Sequence, residues 1–329
     1  MSKMPTVKDV AERAGVSVGT VSRVLAGEAA VKPSLREKVN EAIVALGYRP
    51  NVTARALRTR RTDVIGLIVP DITNPFFAQL AASVERAAQD YRHSLMLASS
   101  HDDREAEQDH VVAFLDRSVR GIIAIASSDN PDLQLKSPIP IISLDRRFGA
   151  FPLVSTNHAQ AAALIASHLF ELGHRRIAYV AGPPDTEAGR ARRKGFVTRM
   201  KQLSDEVELE VFFGKFDYES GEKIARDLLS RSPQDRPTAI AAASDQQAIG
   251  ALRAARDLNV DVPRELSVTG FDDILLANLV VPRLTTVRQP TDTLARRAVE
   301  LLFSQSSDIG DEMIDGSLIK RVSTGPAPQ

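Results

Sequence analysis

The chain has no cysteine, so no disulfide framework holds it and no thiolate carries its chemistry, which suits a reducing compartment. It has no run of about 18 apolar residues and no apolar leader near its N-terminus, so the expectation is a cytoplasmic protein with no membrane contact. Six histidines, His93, His101, His110, His158, His168 and His174, show no short metal-ligand spacing. A Gly-x-Ser-x-Gly elbow and a dinucleotide fingerprint are both missing. The glycine-rich stretch from Gly182-Pro183-Pro184 to Gly189-Arg190 lacks the Gly-Lys-Ser/Thr ending of a nucleoside triphosphate loop. Paired acids are plentiful but none stands out from a solvated helix face. His174, in LGHRRIAYV, reads as a cation closing a helix end. These gaps argue for no enzyme, no metal and no cofactor.

Net charge is missing too, since 42 Lys/Arg balance 42 Asp/Glu. The balance hides an asymmetry. Residues 1–62 hold 12 basic against 5 acidic side chains, a net +7, and the remainder is therefore −7. A cationic head on an acidic body suits a polyanionic partner.

The head begins with TVKDVAERAGVSVGTVSRVL, from Thr6 to Leu25. Thr6 and Asp9 form a capping-box pair that starts a helix at Val7. Val7, Val10, Ala11 and Ala14 share one face, and Gly15 supplies a left-handed turn. Ser17 caps a second helix on which Val21, Val24 and Leu25 face inward. Val18, Gly19, Thr20, Ser22 and Arg23 point outward, a face with hydroxyls and a guanidinium but no carboxylate, as phosphate and base contacts require. A third helix runs from Pro33 to Leu46 and ends at Gly47, with Lys32, which offers no oxygen for capping, before the proline. Residues 50–62 are basic and lack a wide apolar face; by composition alone they are a solvated linker.

The motif Asp9-Val10-Ala11, Ala14-Gly15-Val16-Ser17, Thr20-Val21-Ser22-Arg23-Val24-Leu25 resembles the DNA-binding headpiece of the LacI/GalR family of bacterial transcription regulators, and the resemblance extends nearly to the C-terminus. It implies that Thr6, Ser17, Val18, Gly19, Thr20, Ser22 and Arg23 face DNA, with Val18 on a thymine methyl or base edge. Residues 50–62 would form a hinge helix only on operator DNA. There Asn51, Ala54 and Leu57 would fall at spacings of three, small Ala54 would let two hinge helices approach closely, Leu57 would wedge between base pairs, and Arg55, Arg58, Arg60 and Arg61 would lie among phosphates. Ala26 stands where relatives often carry an Asn that touches the backbone.

From Asp63 onward, strand-type apolar runs at 64–69, 95–98, 121–126, 139–143, 177–181, 209–213, 239–243 and 266–270 mostly alternate with amphipathic helical stretches. Such alternation predicts an α/β core of parallel sheets covered on both faces. So many strands suit two sheets with a cleft between them better than one. The fold expected is an all-α helix-turn-helix headpiece (1–49), a hinge (50–62) and a two-subdomain core (63–329) resembling periplasmic binding proteins. The subdomains would be about 63–156 plus 287–316, and 157–286 plus 317–329.

Ligands of such sheets lie beyond the carboxyl ends of the strands. Asn74, Phe76 and Phe77 follow the first strand, and Asp145 and Arg146 follow another. The resemblance adds Arg190, Phe216 as a stacking ring, Ser244 where relatives usually have Asn, Asp272 and Gln289. Asp245 and Asp273 read as helix caps. An Arg, an Asp and aromatic rings suit a sugar or sugar phosphate, because a vicinal diol accepts from guanidinium, donates to carboxylate and packs its C–H face on Phe; a purine is the alternative. The function implied is a homodimeric repressor on a near-palindromic double-stranded operator, controlled by a small-molecule effector. A co-repressor would run the same device in reverse. The competing reading is a cytosolic sugar-binding protein or sugar-modifying enzyme with a vestigial headpiece.

Overall fold

The computed structural model describes residues 5–25, 31–48, 62–130, 133, 135–304 and 309–328. The chain separates into two units, residues 1–62 and 63–329. In the first, α1 (Val7–Ala14), α2 (Val18–Leu25) and α3 (Pro33–Leu46) enclose a small core of Val10, Ala11, Ala14, Val21, Val24, Val39 and Ala42. Thr6 caps α1: its Oγ1 accepts from the Asp9 N–H at 3.4 Å, and the Thr6 N–H donates to Asp9 Oδ2 at 2.6 Å. Gly15 (φ 64°) then reverses the chain, and Val16 N–H reaches the Ala11 carbonyl at 3.0 Å, which satisfies the helix end. Lys32 sits before α3 and makes no side-chain cap bond. Ala26 and the hinge residues Asn51, Ala54, Arg55, Leu57 and Arg58 lie outside the described residues.

The second unit opens with β1 (Val64–Val69), α4 (Pro75–Asp90), β2 (Ser94–Ser99), α5 (Arg104–Asp116), β3 (Ile122–Ala124), β4 (Ile141–Leu144) and β5 (Leu153–Thr156). It continues through α6 (His158–Glu171), β6 (Arg176–Ala181), α7 (Glu187–Leu203), β7 (Glu208–Phe213), α8 (Tyr218–Leu229), β8 (Ala239–Ala242), α9 (Asp245–Asp257) and β9 (Ser267–Thr269). The last elements are β10 (Thr286–Arg288), α10 (Thr291–Phe303), β11 (Glu312–Ile314) and β12 (Ser317–Ile319). One sheet has the order β11-β5-β4-β3-β1-β2 and the other β7-β6-β8-β9, and every registered pair in both is parallel. β10 and β12 pair antiparallel as a separate ribbon. The chain therefore passes between sheets after β5, near β10, and again between β11 and β12. Helices shield both faces, so inner strands such as Ile65–Val69 and Ile177–Ala181 are fully buried and read as continuous apolar runs.

Helices α8 and α9 touch backbone to backbone. A Cβ on Gly250 would lie 2.1 Å from the Tyr218 carbonyl oxygen, and one on Gly221 would lie 2.1 Å from that of Gln247. Neither neighbour can rotate away. Gly250→Ala should therefore lower the unfolding free energy by about 1–3 kcal/mol despite alanine's better helix propensity. Denaturant unfolding checks this, and an unchanged midpoint would mean that the helices separate freely.

Two expectations about charged groups change. His174 is no helix-end cation: it is fully buried, with Nδ1 2.9 Å from Thr238 Oγ1 and Nε2 2.9 Å from Ser267 Oγ. Burial pulls its pKa down to about 4, so the ring is neutral. Asp245 and Asp273 are not caps. Ser244 caps α9, while Asp245 accepts from the Ile274 N–H and Thr286 Oγ1 beneath the sheet. Asp273 instead holds Arg288 and Arg321.

Candidate functional site

In the headpiece, Ser17 Oγ accepts from the Thr20 N–H at 3.1 Å and so starts α2. Val21 and Val24 are buried while Val18 is 41% exposed, leaving an apolar side chain at the outward start of that helix. A Cβ on Gly19 would meet only Ser17 Oγ, at 3.6 Å, so packing within the headpiece does not demand glycine there. The outward residues Gly19, Ser22 and Arg23 flank Val18 on a helix that carries no acid, suited to a groove.

In the core, loops after the parallel strands of both sheets face each other across a cleft of about 380 Å³. From the first sheet come Asn74, Phe77 and Arg146; from the second, Thr186, Lys215 and Phe216. Asn74 also caps α4, accepting from the Phe76 N–H at 3.0 Å. The guanidinium of Arg146 lies between two rings, 5.1 Å from Phe77 and 5.5 Å from Phe216, so one cation links both walls. Its Nη1 donates to the Ser127 carbonyl at 3.1 Å. Among the described residues, its buried Nε and the buried Oδ1 of Asp145 have no hydrogen-bond partner.

Behind that surface lies a second buried pair. Arg192, 4% exposed, stacks its guanidinium 3.9 Å from the Phe271 ring. Its Nη1 donates to the Ala243 carbonyl at 2.7 Å and to Asp272 Oδ1 at 3.2 Å. Gln289 Nε2 donates to the same Asp272 oxygen at 2.8 Å, and Gln289 Oε1 accepts from Thr156 at 2.7 Å. Asp272 is held at φ 119°, a conformation that costs a non-glycine residue on the order of 1–3 kcal/mol and marks a site whose surroundings over-determine it. Burial pushes its pKa up to about 6, against the pull of Arg192. Burial also raises Asp145, and burial with Arg192 drives His158 well below its usual range, so that ring is neutral.

Three of the expected effector residues are engaged with other partners in this structure. Arg190 is not in a loop: α7 starts at Glu187 behind the Thr186 cap, and Arg190 turns outward to Asp129 at 2.5 Å and to the Pro184 carbonyl. Two residues later, about 200° round the helix, Arg192 takes the inward place and meets Asp272. Phe76 packs in the hydrophobic core, and Ser244 spends its hydroxyl capping α9 at 3.2 Å from the Gln247 N–H. Sequence reasoning missed Arg192 and His158. The signal for Arg192 was present, since Gly189, Arg192, Phe196 and Met200 form a helical stripe of buried residues. Among the described residues, no group of three or more His, Asp and Glu is placed to hold a metal ion. No helix among them is long and apolar enough to cross a membrane.

A model of the lacI family of bacterial regulatory proteins matches residues 6–51, and one of a periplasmic binding protein-like domain matches residues 166–324. Catabolite control protein A of Priestia megaterium is 34% identical over 323 residues, spanning 96% of each chain. The chain belongs to the LacI family. The ribose operon repressor of Halalkalibacterium halodurans is 36% identical, over 92% of this chain and 90% of its own. The solved lac repressor dimer, bound to operator and the anti-inducer ONPF, superimposes with a TM-score of 0.84 at 28% identity and covers 98% of this chain and 100% of its own. As a LacI-family member with a complete helix-turn-helix, the protein is a DNA-binding transcription regulator.

Proposed function

We propose that the protein is a cytoplasmic, homodimeric repressor that binds a near-palindromic operator and releases it when a neutral sugar occupies the core cleft. The observation that carries the effector assignment is the buried Arg192–Asp272 pair beside Phe271 and Phe216, which offers a diol one donor, one acceptor and an apolar face. In front of that pair, Asp71, Asp102, Asp185 and Asp217 line the cleft beside Arg146 and Lys215. That acidic excess favours an uncharged sugar over a sugar phosphate. Asn74, Phe77, Asp145, Arg146, Arg192, Phe216, Asp272 and Gln289 form the effector set. Thr6, Ser17, Val18, Gly19, Thr20, Ser22 and Arg23, with Asn51, Ala54, Arg55, Leu57 and Arg58 of the hinge, form the DNA set. Effector closing the cleft between the two core subdomains shifts a two-state equilibrium that operator DNA biases the other way.

Leu275, Leu279 and Val281 cluster within seven residues and are 67, 63 and 92% exposed. An apolar group this open fits a self-complementary two-fold interface.

A thermal-shift screen of sugars, sugar phosphates and nucleobases tests the effector class, since a ligand at 100 times its Kd adds about 2.7 kcal/mol. A nucleobase as the sole binder would replace the sugar by a purine-type ring between Phe77 and Phe216. Operator binding, lost when residues 1–62 are removed, tests the DNA assignment.

Asp272 also predicts a pH dependence. Its ionised carboxylate accepts a charge-assisted bond from a ligand hydroxyl, and the protonated acid only a weaker neutral one, so effector affinity should hold at pH 7–8 and fall as pH drops through about 6. Asp272→Asn should bind weakly with a flat profile over pH 5–8. Calorimetry across that range decides, and a wild-type affinity constant down to pH 5 would remove Asp272 from the hydrogen-bonding set.

A further inference from the structure

The core has a second concavity that the effector cleft does not use. It lies at the opposite end of the four-stranded sheet, where β6, β8 and β9 begin rather than end, and encloses about 600 Å³. Arg176 opens β6, Arg236 precedes β8, and Arg175 follows the end of α6. All three line the cavity, with Glu265 as the only acid among the described lining residues.

These arginines are underused. Arg175 Nη1 donates to the carbonyls of Phe170 and His174 at 3.2 and 3.0 Å, and its guanidinium lies 3.9 Å from the Phe170 ring. Arg176 Nε donates to the Arg236 carbonyl, and Arg236 Nε to that of Arg231. Those bonds orient the side chains and close one helix end, and among the described residues the terminal nitrogens of Arg176 and Arg236 have no acceptor. By contrast, Arg86, Arg147, Arg190, Arg226, Arg231, Arg288 and Arg297 each sit within ion-pair distance of a carboxylate. Among the described residues, no carboxylate comes that close to Arg175, Arg176 or Arg236, and Glu265 instead accepts from the Asp261 N–H at 2.8 Å.

Three arginines and a single carboxylate on one concave surface give the lining a net positive charge, which concentrates anions there. The group that best offsets such an arrangement is an oxyanion with several acceptors, which planar guanidiniums bind in a fork. Leu229, Val260 and Leu266 supply an apolar wall beside them. The C-terminal tail closes another side, tied by the Ala327 N–H to the Leu172 carbonyl at 2.8 Å. We propose that this cavity binds a phosphate-bearing small molecule, separately from the effector cleft. The assignment does not depend on what the cleft binds. It also divides the ligands by charge: the acid-lined cleft takes a neutral molecule and the arginine-lined cavity an anion.

The test uses the full-length protein bound to its operator, so that the headpiece is not free to take up anions. Inorganic phosphate, pyrophosphate and glucose 6-phosphate are titrated by calorimetry at constant ionic strength against sodium chloride and glucose as controls. Saturable binding of at least one phosphate compound is expected, weakened at least tenfold by Arg175→Gln/Arg236→Gln. Arg176→Gln, whose side chain closes no helix end, should weaken it at least threefold and keeps the test intact if the double variant is poorly folded. A sugar phosphate binding more tightly than inorganic phosphate places its organic part on the apolar wall, and equal affinity means that the anion alone is read. No saturable binding beyond the chloride control, or binding unchanged in both variants, overturns the site.

Discussion

Arg192→Ala should weaken effector binding by roughly 30- to 800-fold, whereas Arg190→Ala should change it less than about threefold. The first figure corresponds to about 2 to 4 kcal/mol, the cost of a lost charge-assisted hydrogen bond with its buried partner left unsatisfied. Arg192 is 4% exposed and meets Asp272, Ala243 and the Phe271 ring at once, so no water can stand in for it. The Arg190 side chain is 46% exposed and paired with Asp129, an interaction worth at most about 1 kcal/mol. Removing Arg192 also strands the Asp272 carboxylate, which then rises further in pKa, so the variant should unfold more easily. Arg192→Lys separates the two effects: it keeps the charge near Asp272 but loses the planar stack on Phe271, and should recover stability more than affinity. Calorimetry with the sugar found by screening, beside thermal unfolding of each variant, gives both readouts. Strong loss in Arg190→Ala with none in Arg192→Ala would move the guanidinium contact to the helix's outer face. Repression without effector should persist in every one of these variants.

Leu279→Asp together with Val281→Asp should turn the dimer into monomers and lower operator affinity by about 10²- to 10⁴-fold. A two-fold interface carries every substitution twice, so four carboxylates would enter one apolar contact without partners. The loss of DNA binding follows from connectivity. Two headpieces on one dimer make the second half-site contact intramolecular, with an effective concentration that a monomer forfeits. Val281 is 92% exposed and Leu279 63%, so the folded monomer should be undisturbed and even slightly more soluble. Sedimentation gives the oligomeric state and a gel-shift titration the affinity, while effector calorimetry should stay within about twofold of wild type. A double variant that remains dimeric would place the interface elsewhere on the core.

How much could be read without coordinates depended on how local each signal is. The headpiece was legible residue by residue, because Thr6 with Asp9, Gly15, Ser17 and Gly47 act on backbone groups no more than five positions away. The eight longer apolar runs of the core were legible for the same reason, each reading as a buried strand by itself. β5, β10, β11 and β12 were not. They are three or four residues long, and β11 and β12 owe their existence to partners about 30 or more positions distant, Leu153–Thr156 and Thr286–Arg288. No pattern within Glu312–Ile314 announces that it will close the edge of the first sheet.

The effector cleft divides along the same line. The sequence by itself determined that strand ends would carry an Asp, an Arg and phenylalanines, because parallel strands separated by helices leave their carboxyl ends free for ligands. Only the tertiary structure decided which arginine faces inward, since Arg190 and Arg192 differ by 200° around α7 and just one side of that helix packs against the sheet. Only the structure, too, turned Ser244 into a cap, put Phe76 in the core and gave Asp272 its raised pKa. Burial is a property of everything packed around a group, and a residue's neighbours along the chain do not contain it.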